Sequence, residues 1–382
     1  MLAGGAWAQG AAPRPPPALV NTPIPEGDIA AVIRDMALTE SARPVREMIQ
    51  GWKKPGKILV FVDNNANRLA WFQEVAPGVK LVAIHNRDEA MAQIADADGE
   101  VMSVCNKARI QAGKSLHWIQ TNSIGVDECF YGDVPPQISS GQLVVTNLKH
   151  VLSPVVGYHA IAMAVALSRG LDLFVRMNQS GHTDPEAIPP GRLWDVDGRT
   201  LLVVGLGGVG TDVARLAHGL GMKVIATRET SHQGPDYVEY VGLSGELPEL
   251  IGRADVVVMA APLTAATNHL FDAAMFARMK RGALFINIAR GEQVVTADLA
   301  AALRSGQLGG AGLDVVGPPR LADNDPLYNV PNIIITPHVA DHAVEDAYAK
   351  SGEMSWQLAR ENLRRYVAGE RLLSVVDPAL GY

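Results

Sequence analysis

The sequence predicts an α/β protein with two parallel-sheet units on one chain of 382 residues. Three observations carry that prediction. Short apolar, β-branched runs alternate with helical stretches along most of the chain, the pattern of sheets covered by helices on both faces. A glycine-rich turn, "GLGGVG", follows one such run directly and opens a helix. Between the two sets of strands, residues 153–176 are apolar almost all round, as a deeply buried connector helix requires. The length suits two domains of ordinary size.

Taken in order, the chain opens on "MLAGGAWAQGAAPRPPP". Ala6-Trp7-Ala8 before Gln9 resembles an A-x-A cleavage site, but a basic n-region is missing and the apolar stretch is short. The expectation is a disordered leader on a cytoplasmic protein, with a truncated export signal and a periplasmic protein as the alternative. Pro13 to Pro25 is proline-rich and unsuited to regular structure. From Asp28 a short helical pattern places Ile29, Val32, Ile33 and Met36 on one face until Pro44 interrupts it, and "KKPGK" at 53–57 reads as a linker. Strand-like runs follow at 57–63, 79–85, 99–104, 116–121 and 142–147, with short helices between. After the connector, a second unit runs from "RTLLVVGLGGVG" (199–210) through strands near 222–227, 254–260, 283–288, 309–315 and 332–336. Residues 340–368 read as one long amphipathic helix that packs back on the first unit. The expected division is a leader and short helix at 1–55, a first domain at 56–150 and 340–382, and an inserted domain at 151–339.

Composition excludes several classes of function. A net charge of −7 without any Lys/Arg-rich run argues against a nucleic-acid binder. No apolar run reads as the roughly 20 residues of a membrane span. Cys105 and Cys129 are too few for a disulfide framework or a zinc set, and read as small semi-buried hydrophobes.

Gly205, Gly207 and Gly210 form G-x-G-x-x-G between the strand Leu201–Val204 and a helix through Ala214. One glycine makes the tight turn, one lets backbone approach a pyrophosphate, and one permits close helix–strand packing. The helix N-terminus then offers free N–H groups to the phosphates. An NAD site ends the next strand in Asp or Glu, which holds the ribose 2′-hydroxyl. Here that strand ends in Thr227 and Arg228, and the first acid is Glu229. A guanidinium suits a 2′-phosphate, so NADP is favoured over NAD. The alternative is that Arg228 stacks on the adenine or faces solvent.

"TNSIGVDE" (121–128), "GLGGVG", "NIARGEQVV" (287–295), "GAGLDVV" (310–316) and "ITPHVADHA" (335–343) read together resemble the D-isomer-specific 2-hydroxyacid dehydrogenases. The likeness covers residues 57 to 380 in the family's order and spacing. It implies a Rossmann dinucleotide-binding domain inserted in a flavodoxin-like substrate domain, preceded here by an extra N-terminal extension. It also implies a cleft between the domains, a small 2-hydroxy or 2-keto acid substrate, and a homodimer. By the same resemblance, Arg290 grips the substrate carboxylate and carbonyl, and His338 gives or takes the hydroxyl proton. Ser123, Ile124 and Gly125 form the loop whose N–H groups hold the carboxylate. Gly208 and Val209 lie at the pyrophosphate, Pro262, Ile288 and Ala289 at the cofactor, and Asp314 at the nicotinamide amide. No metal is implied. The residue types suit the chemistry by themselves. Hydride transfer to a keto acid develops negative charge on oxygen, which a fixed cation and a proton donor must meet. An arginine fork matches a carboxylate bidentately, and an unperturbed imidazole works in both directions near neutrality.

The opening of the loop after "GLDVV" departs from the family. Its histidine-orienting glutamate falls on Pro319, whose side chain accepts no hydrogen bond. Asp323 or Asp325 could fold back to replace it, or Asp341 or His342 could serve from beyond His338; cap and loop chemistry is the plainer role for all four. A second departure puts Tyr158 where the family often has glutamate, either lining the cleft or on the surface. The adjacent His159 reads as a structural histidine near the hinge. Two functions follow. One is an NAD(P)-dependent oxidoreductase working through Arg290 and His338. The other is a nicotinamide-binding sensor, or an atypical enzyme with retained NAD(P), on the same fold.

Overall fold

The computed structural model describes residues 27–181, 183–317, 321–341 and 350–381. Pro319 and His342 lie outside them. The first sheet comprises β1 (Lys57–Phe61), β2 (Lys80–Ile84), β3 (Gly99–Ser103), β4 (Trp118–Thr121) and β5 (Val144–Thr146), parallel in the order β2-β1-β3-β4-β5. The second comprises β6 (Thr200–Val204), β7 (Lys223–Arg228), β8 (Tyr240–Leu243), β9 (Val256–Met259), β10 (Ala283–Asn287), β11 (Leu308–Leu313) and β12 (Ile333–Ile335), in the order β12-β11-β10-β9-β6-β7-β8. The first order is flavodoxin-like and the second extends the dinucleotide-binding order by one strand. Each reverses direction once, between β1 and β3 and between β6 and β9, opening a crevice at the strands' carboxyl ends. Central strands such as β9 and β10 are buried along their whole length, which is why they read as unbroken apolar runs.

Five helices position the site: α1 (Ile29–Asp35), α2 (Asp127–Phe130), α3 (Lys149–Ser168), α4 (Gly208–Gly219) and α5 (Lys350–Ala368). The connector is not one helix over 153–176. It begins earlier, at Lys149, and stops at Ser168, because Gly170 takes φ +67° and starts a separate helix, Leu171–Gln179. By length and composition α3 is apolar enough to cross a membrane, contrary to the reading of the sequence, but here it packs against α4, β10 and β11. The tail helix is described over most of its expected length. Residues up to Asp341 form a turn, and the helix is described from Lys350. β8, an edge strand with two buried residues, was not legible as a strand.

α5 covers the first sheet. The Tyr366 ring stacks on Trp118 at 4.7 Å, and the buried Asn362 amide donates to Gln120 Oε1 (2.8 Å) and Leu373 O (3.0 Å). α1, capped by Asp28 Oδ1 accepting from Ala31 N–H at 3.1 Å, packs Val32 with Leu38 against Leu148, Val151, Leu152 and Leu358. Ile124 of the "TNSIGVDE" loop lies against that same cluster, so the N-terminal extension buttresses it.

Cys105 and Cys129 are joined as a disulfide, which corrects their reading as separate small hydrophobes. Both are buried, and the bond ties the end of β3 to α2. Beside it the Arg109 guanidinium, 2% exposed, donates to Glu100 Oε1 (2.8 Å), Ser103 Oγ (2.8 Å) and Val104 O (2.6 Å). Removing one member of such a pair strands a charge in the core. Arg109→Met is therefore expected to cost about 3–5 kcal/mol in urea unfolding, and adding Glu100→Leu to recover most of it. A wild-type midpoint for the single variant would show that the pair does not hold this corner.

Candidate active site

The glycine turn separates into two functions. Gly205 has φ +97°, and a Cβ there would stand 2.6 Å from Ala261 Cα. A Cβ on Gly210 would stand 2.1 Å from Gly205 O. These two glycines are required by packing. A Cβ on Gly207 would meet nothing within 4 Å, so the middle glycine faces open space at the start of α4. A cradle that only a backbone can line is what a pyrophosphate needs. Thr227 is buried and holds the turn, accepting from Gly205 N–H at its hydroxyl (3.3 Å) and from Leu206 N–H at its carbonyl (2.8 Å). Arg228, half-buried at the end of β7, donates to Gln233 O at 2.8 Å. Lys149 joins it. The lysine stem lies 3.3 Å from where a Gly208 Cβ would be, and burial together with the charge of Arg228 holds its ammonium below the usual range. Sequence reasoning missed Lys149 because it belongs to the connector helix, far from the motif.

The "TNSIGVDE" loop turns its carbonyls inward. Ser123 O accepts from Thr121 Oγ1 (3.0 Å) and Leu148 N–H (3.1 Å), Ile124 O from Asn147 Nδ2 (2.9 Å), and Gly125 O from Ser123 Oγ (3.0 Å). The N–H groups of Ser123, Ile124 and Gly125 donate to no acceptor among the described residues. Arg290 comes down on this loop from the second sheet. A Cβ on Gly125 would stand 1.8 Å from Arg290 Nη2, so only glycine admits the guanidinium. Arg290 Nε and Nη2 donate to Asp127 Oδ1 at 2.9 and 2.5 Å, and Nη1 to Ala289 O at 2.7 Å. Asp127, the first residue of α2, was visible in the motif, yet nothing in the sequence paired it with Arg290.

Buried amides aim the arginine. Asn287 Nδ2 donates to Arg290 O (2.8 Å), Asn287 Oδ1 accepts from Ala289 N–H (3.1 Å), and Gln293 Oε1 accepts from Arg290 N–H (3.0 Å). Gln293 Nε2 reaches Ala261 O (3.1 Å) and Pro262 O (3.0 Å), tying Arg290 to the loop after β9. Ile288 and Ala289 bury their side chains in the core, and Val209 packs beside it.

His338 has an exposed side chain and φ +57°. Its backbone N–H donates to Asp314 O at 2.8 Å. The Asp314 carboxylate is buried and accepts from Thr336 Oγ1 (2.7 Å), Val339 N–H (3.0 Å) and Ala340 N–H (3.2 Å). It thereby pins the turn that presents His338. His159 is satisfied as a structural histidine, its Nε2 lying 2.9 Å from Thr336 Oγ1 and 3.5 Å from Asp314 Oδ1. Among the described residues no carboxylate pairs with the His338 ring. Asp325 instead caps Leu327 N–H at 2.9 Å. Tyr158 is 53% exposed, on the surface of α3.

Two doubly wound sheets, a glycine turn open to solvent at the start of a helix, and an arginine seated on a loop of free N–H groups are the features of a nucleotide-dependent oxidoreductase. Residues 161–340 match the family model for the D-isomer specific 2-hydroxyacid dehydrogenase, NAD binding domain. A glyoxylate reductase of Korarchaeum cryptofilum (strain OPF8) is 31% identical over 307 residues, 78% of this chain and 86% of that one. Glyoxylate/hydroxypyruvate reductase B of Salmonella schwarzengrund (strain CVM19633) is 33% identical over 248 residues, 64% of this chain and 74% of that one. The NADPH-dependent glyoxylate/hydroxypyruvate reductase of Sinorhizobium meliloti, solved with NADP and malonate, is 26% identical with a TM-score of 0.67, covering 85% of this chain and 98% of that one. The chain belongs to the D-isomer-specific 2-hydroxyacid dehydrogenase family. It is an NAD(P)-dependent oxidoreductase of 2-hydroxy and 2-keto acids, which sets the sensor reading aside.

The open position of Gly207 gives a selective test. Gly207→Ala is expected to melt as the wild type does but to bind NADPH at least about tenfold more weakly, ~1.4 kcal/mol, by fluorescence titration. Unchanged affinity would place the phosphates elsewhere.

Proposed function

We propose that this enzyme reduces a small 2-keto acid of the glyoxylate and hydroxypyruvate class with NADPH. The observation that carries the reading is the Arg290 guanidinium seated on the Gly125 loop. A fixed cation lies there on a loop whose Ser123, Ile124 and Gly125 N–H groups have no acceptor among the described residues, which suits a carboxylate and its adjoining carbonyl. When bound, the nicotinamide supplies the hydride. Arg290 meets the charge that develops on the carbonyl oxygen, Asp127 holds the guanidinium when substrate is absent, and His338 delivers the proton. Gly205, Gly207, Gly208, Val209 and Gly210 form the phosphate cradle. Thr227 and Arg228 stand at the adenosine end, and Pro262, Ile288, Ala289 and Asp314 at the nicotinamide end. Among the described residues no carboxylate pairs with the His338 ring, and the Asp314-pinned turn gives it its placement.

Three observations support NADP over NAD: β7 ends without an acid, Arg228 stands in its place, and Lys149 adds a second cation beside it. The NADPH dependence of the Sinorhizobium relative points the same way. We also infer a homodimer, for which the exposed Leu171 and Val175 offer apolar surface to a second copy. The Cys105–Cys129 disulfide supports the exported alternative over a cytoplasmic location, since the reducing cytosol opposes such bonds.

The test is cofactor oxidation by the purified protein with NADPH and NADH in parallel against glyoxylate, hydroxypyruvate and bulkier keto acids. Turnover of the small acids is expected, with NADPH preferred. Arg228→Ala is expected to lower the NADPH:NADH ratio of kcat/KM about tenfold or more while sparing the NADH rate, as loss of a charge-assisted phosphate contact would. An unchanged ratio would remove Arg228 from the cofactor reading.

A further inference from the structure

A cavity of about 80 Å³ is lined by Thr39, Asn147, Lys149, His150, Ser374 and Val375. Neither Arg290 nor His338 lines it. Its wall comes from three sources: the N-terminal extension, the first turn of α3, and the segment after α5. Ser374 is 8% exposed, and its Oγ has no hydrogen-bond partner among the described residues. The residue is also held at φ +53°, with Ser374 N–H donating to Thr39 O (3.1 Å) and Asn147 N–H donating to Ser374 O (3.1 Å). A buried hydroxyl without a partner, on a backbone conformation that costs energy, marks a place where something else is to be bound.

The opposite wall has the complementary chemistry. α3 is 20 residues long; Asn147 Oδ1 accepts from Lys149 N–H (3.2 Å), and the N–H groups of His150 and Val151 have no acceptor among the described residues. The N-terminus of a long helix favours negative charge. Lys149 and His150, both in that turn, add basic side chains. Burial and the Lys149 charge hold His150 less basic than usual, against an opposing pull from Asp212 on α4. A positively biased cavity with a buried hydroxyl and free helix N–H donors calls for an anion, and its volume admits a small ion but no nucleotide.

We propose that this cavity is a binding site for one small oxyanion of the inorganic phosphate or sulfate class, separate from the reacting centre. Occupancy would act on the substrate loop through two contacts. Asn147 Nδ2 holds Ile124 O (2.9 Å), and Leu148 N–H holds Ser123 O (3.1 Å). The anion therefore firms the loop that receives the substrate carboxylate. Thr39 lines the site from the extension, outside the stretch that resembles the family.

The experiment titrates the full chain, saturated with NADP⁺ to fill the dinucleotide's phosphate positions, with inorganic phosphate and with sulfate. Chloride at matched ionic strength is the control, and calorimetry and thermal melting are the readouts. One saturable site that raises the melting temperature is expected. Ser374→Ala and His150→Gln are each expected to weaken it about tenfold or more, and His150→Gln carries the test if Ser374→Ala fails to fold. The ion should also lower KM for the keto acid with kcat unchanged. Loss of the site on NADP⁺ saturation would mean the ion had occupied the dinucleotide cradle, and would overturn the proposal. So would equal stabilisation by chloride, no saturable binding, or undiminished binding by the variants.

Discussion

The arrangement depends on one charge crossing the gap between two sheets. Arg290 is built at the end of β10 yet finds its carboxylate partner, Asp127, at the start of α2 in the other unit. Neither side chain is deeply buried, at 26% and 22% exposure, so the pair is worth little as a stability device. Its worth is positional. It brings the guanidinium onto the Gly125 loop, where the only side chain compatible with the approach is none at all. Asn287 and Gln293 spend their buried amides on fixing the backbone that carries the arginine. An incoming carboxylate would meet a cation already oriented, which is how preorganised sites limit their reorganisation.

The parts legible in the sequence were those set by local rules. The glycine spacing announced the tight strand-to-helix turn, because Gly205 and Gly210 each answer to a steric demand that acts locally. The parallel strands were legible because both faces are buried and the runs are unbroken. What escaped was set by juxtaposition. Cys105 and Cys129 are 24 residues apart on different elements, and composition could not show that β3 and α2 bring them together. Asp127 and Lys149 escaped for the same reason, each acting on a residue of the other unit. The break at Gly170 escaped because a glycine within an apolar run reads equally as helix interior or as helix end.

Two features bear on the same region. Among the described residues no acid pairs with the His338 ring, and Pro319, which the resemblance sets at the family's glutamate position, lies outside them. What holds His338 is the backbone: a left-handed residue whose neighbours are pinned to Asp314. The extension meanwhile braces Ile124 and lines the cavity. The Gly125 loop is thus braced by the extension, while His338 is placed by its own backbone.

The most direct measurement compares wild type and Arg290→Lys in NADPH-dependent reduction of glyoxylate, with the NADPH Kd determined on both. Lysine keeps the charge but loses the fork and the reach to Asp127. The account predicts that kcat/KM falls about a hundredfold or more while NADPH binding is unchanged. Activity within about threefold of wild type would contradict it, because the site would then not depend on the geometry of that guanidinium.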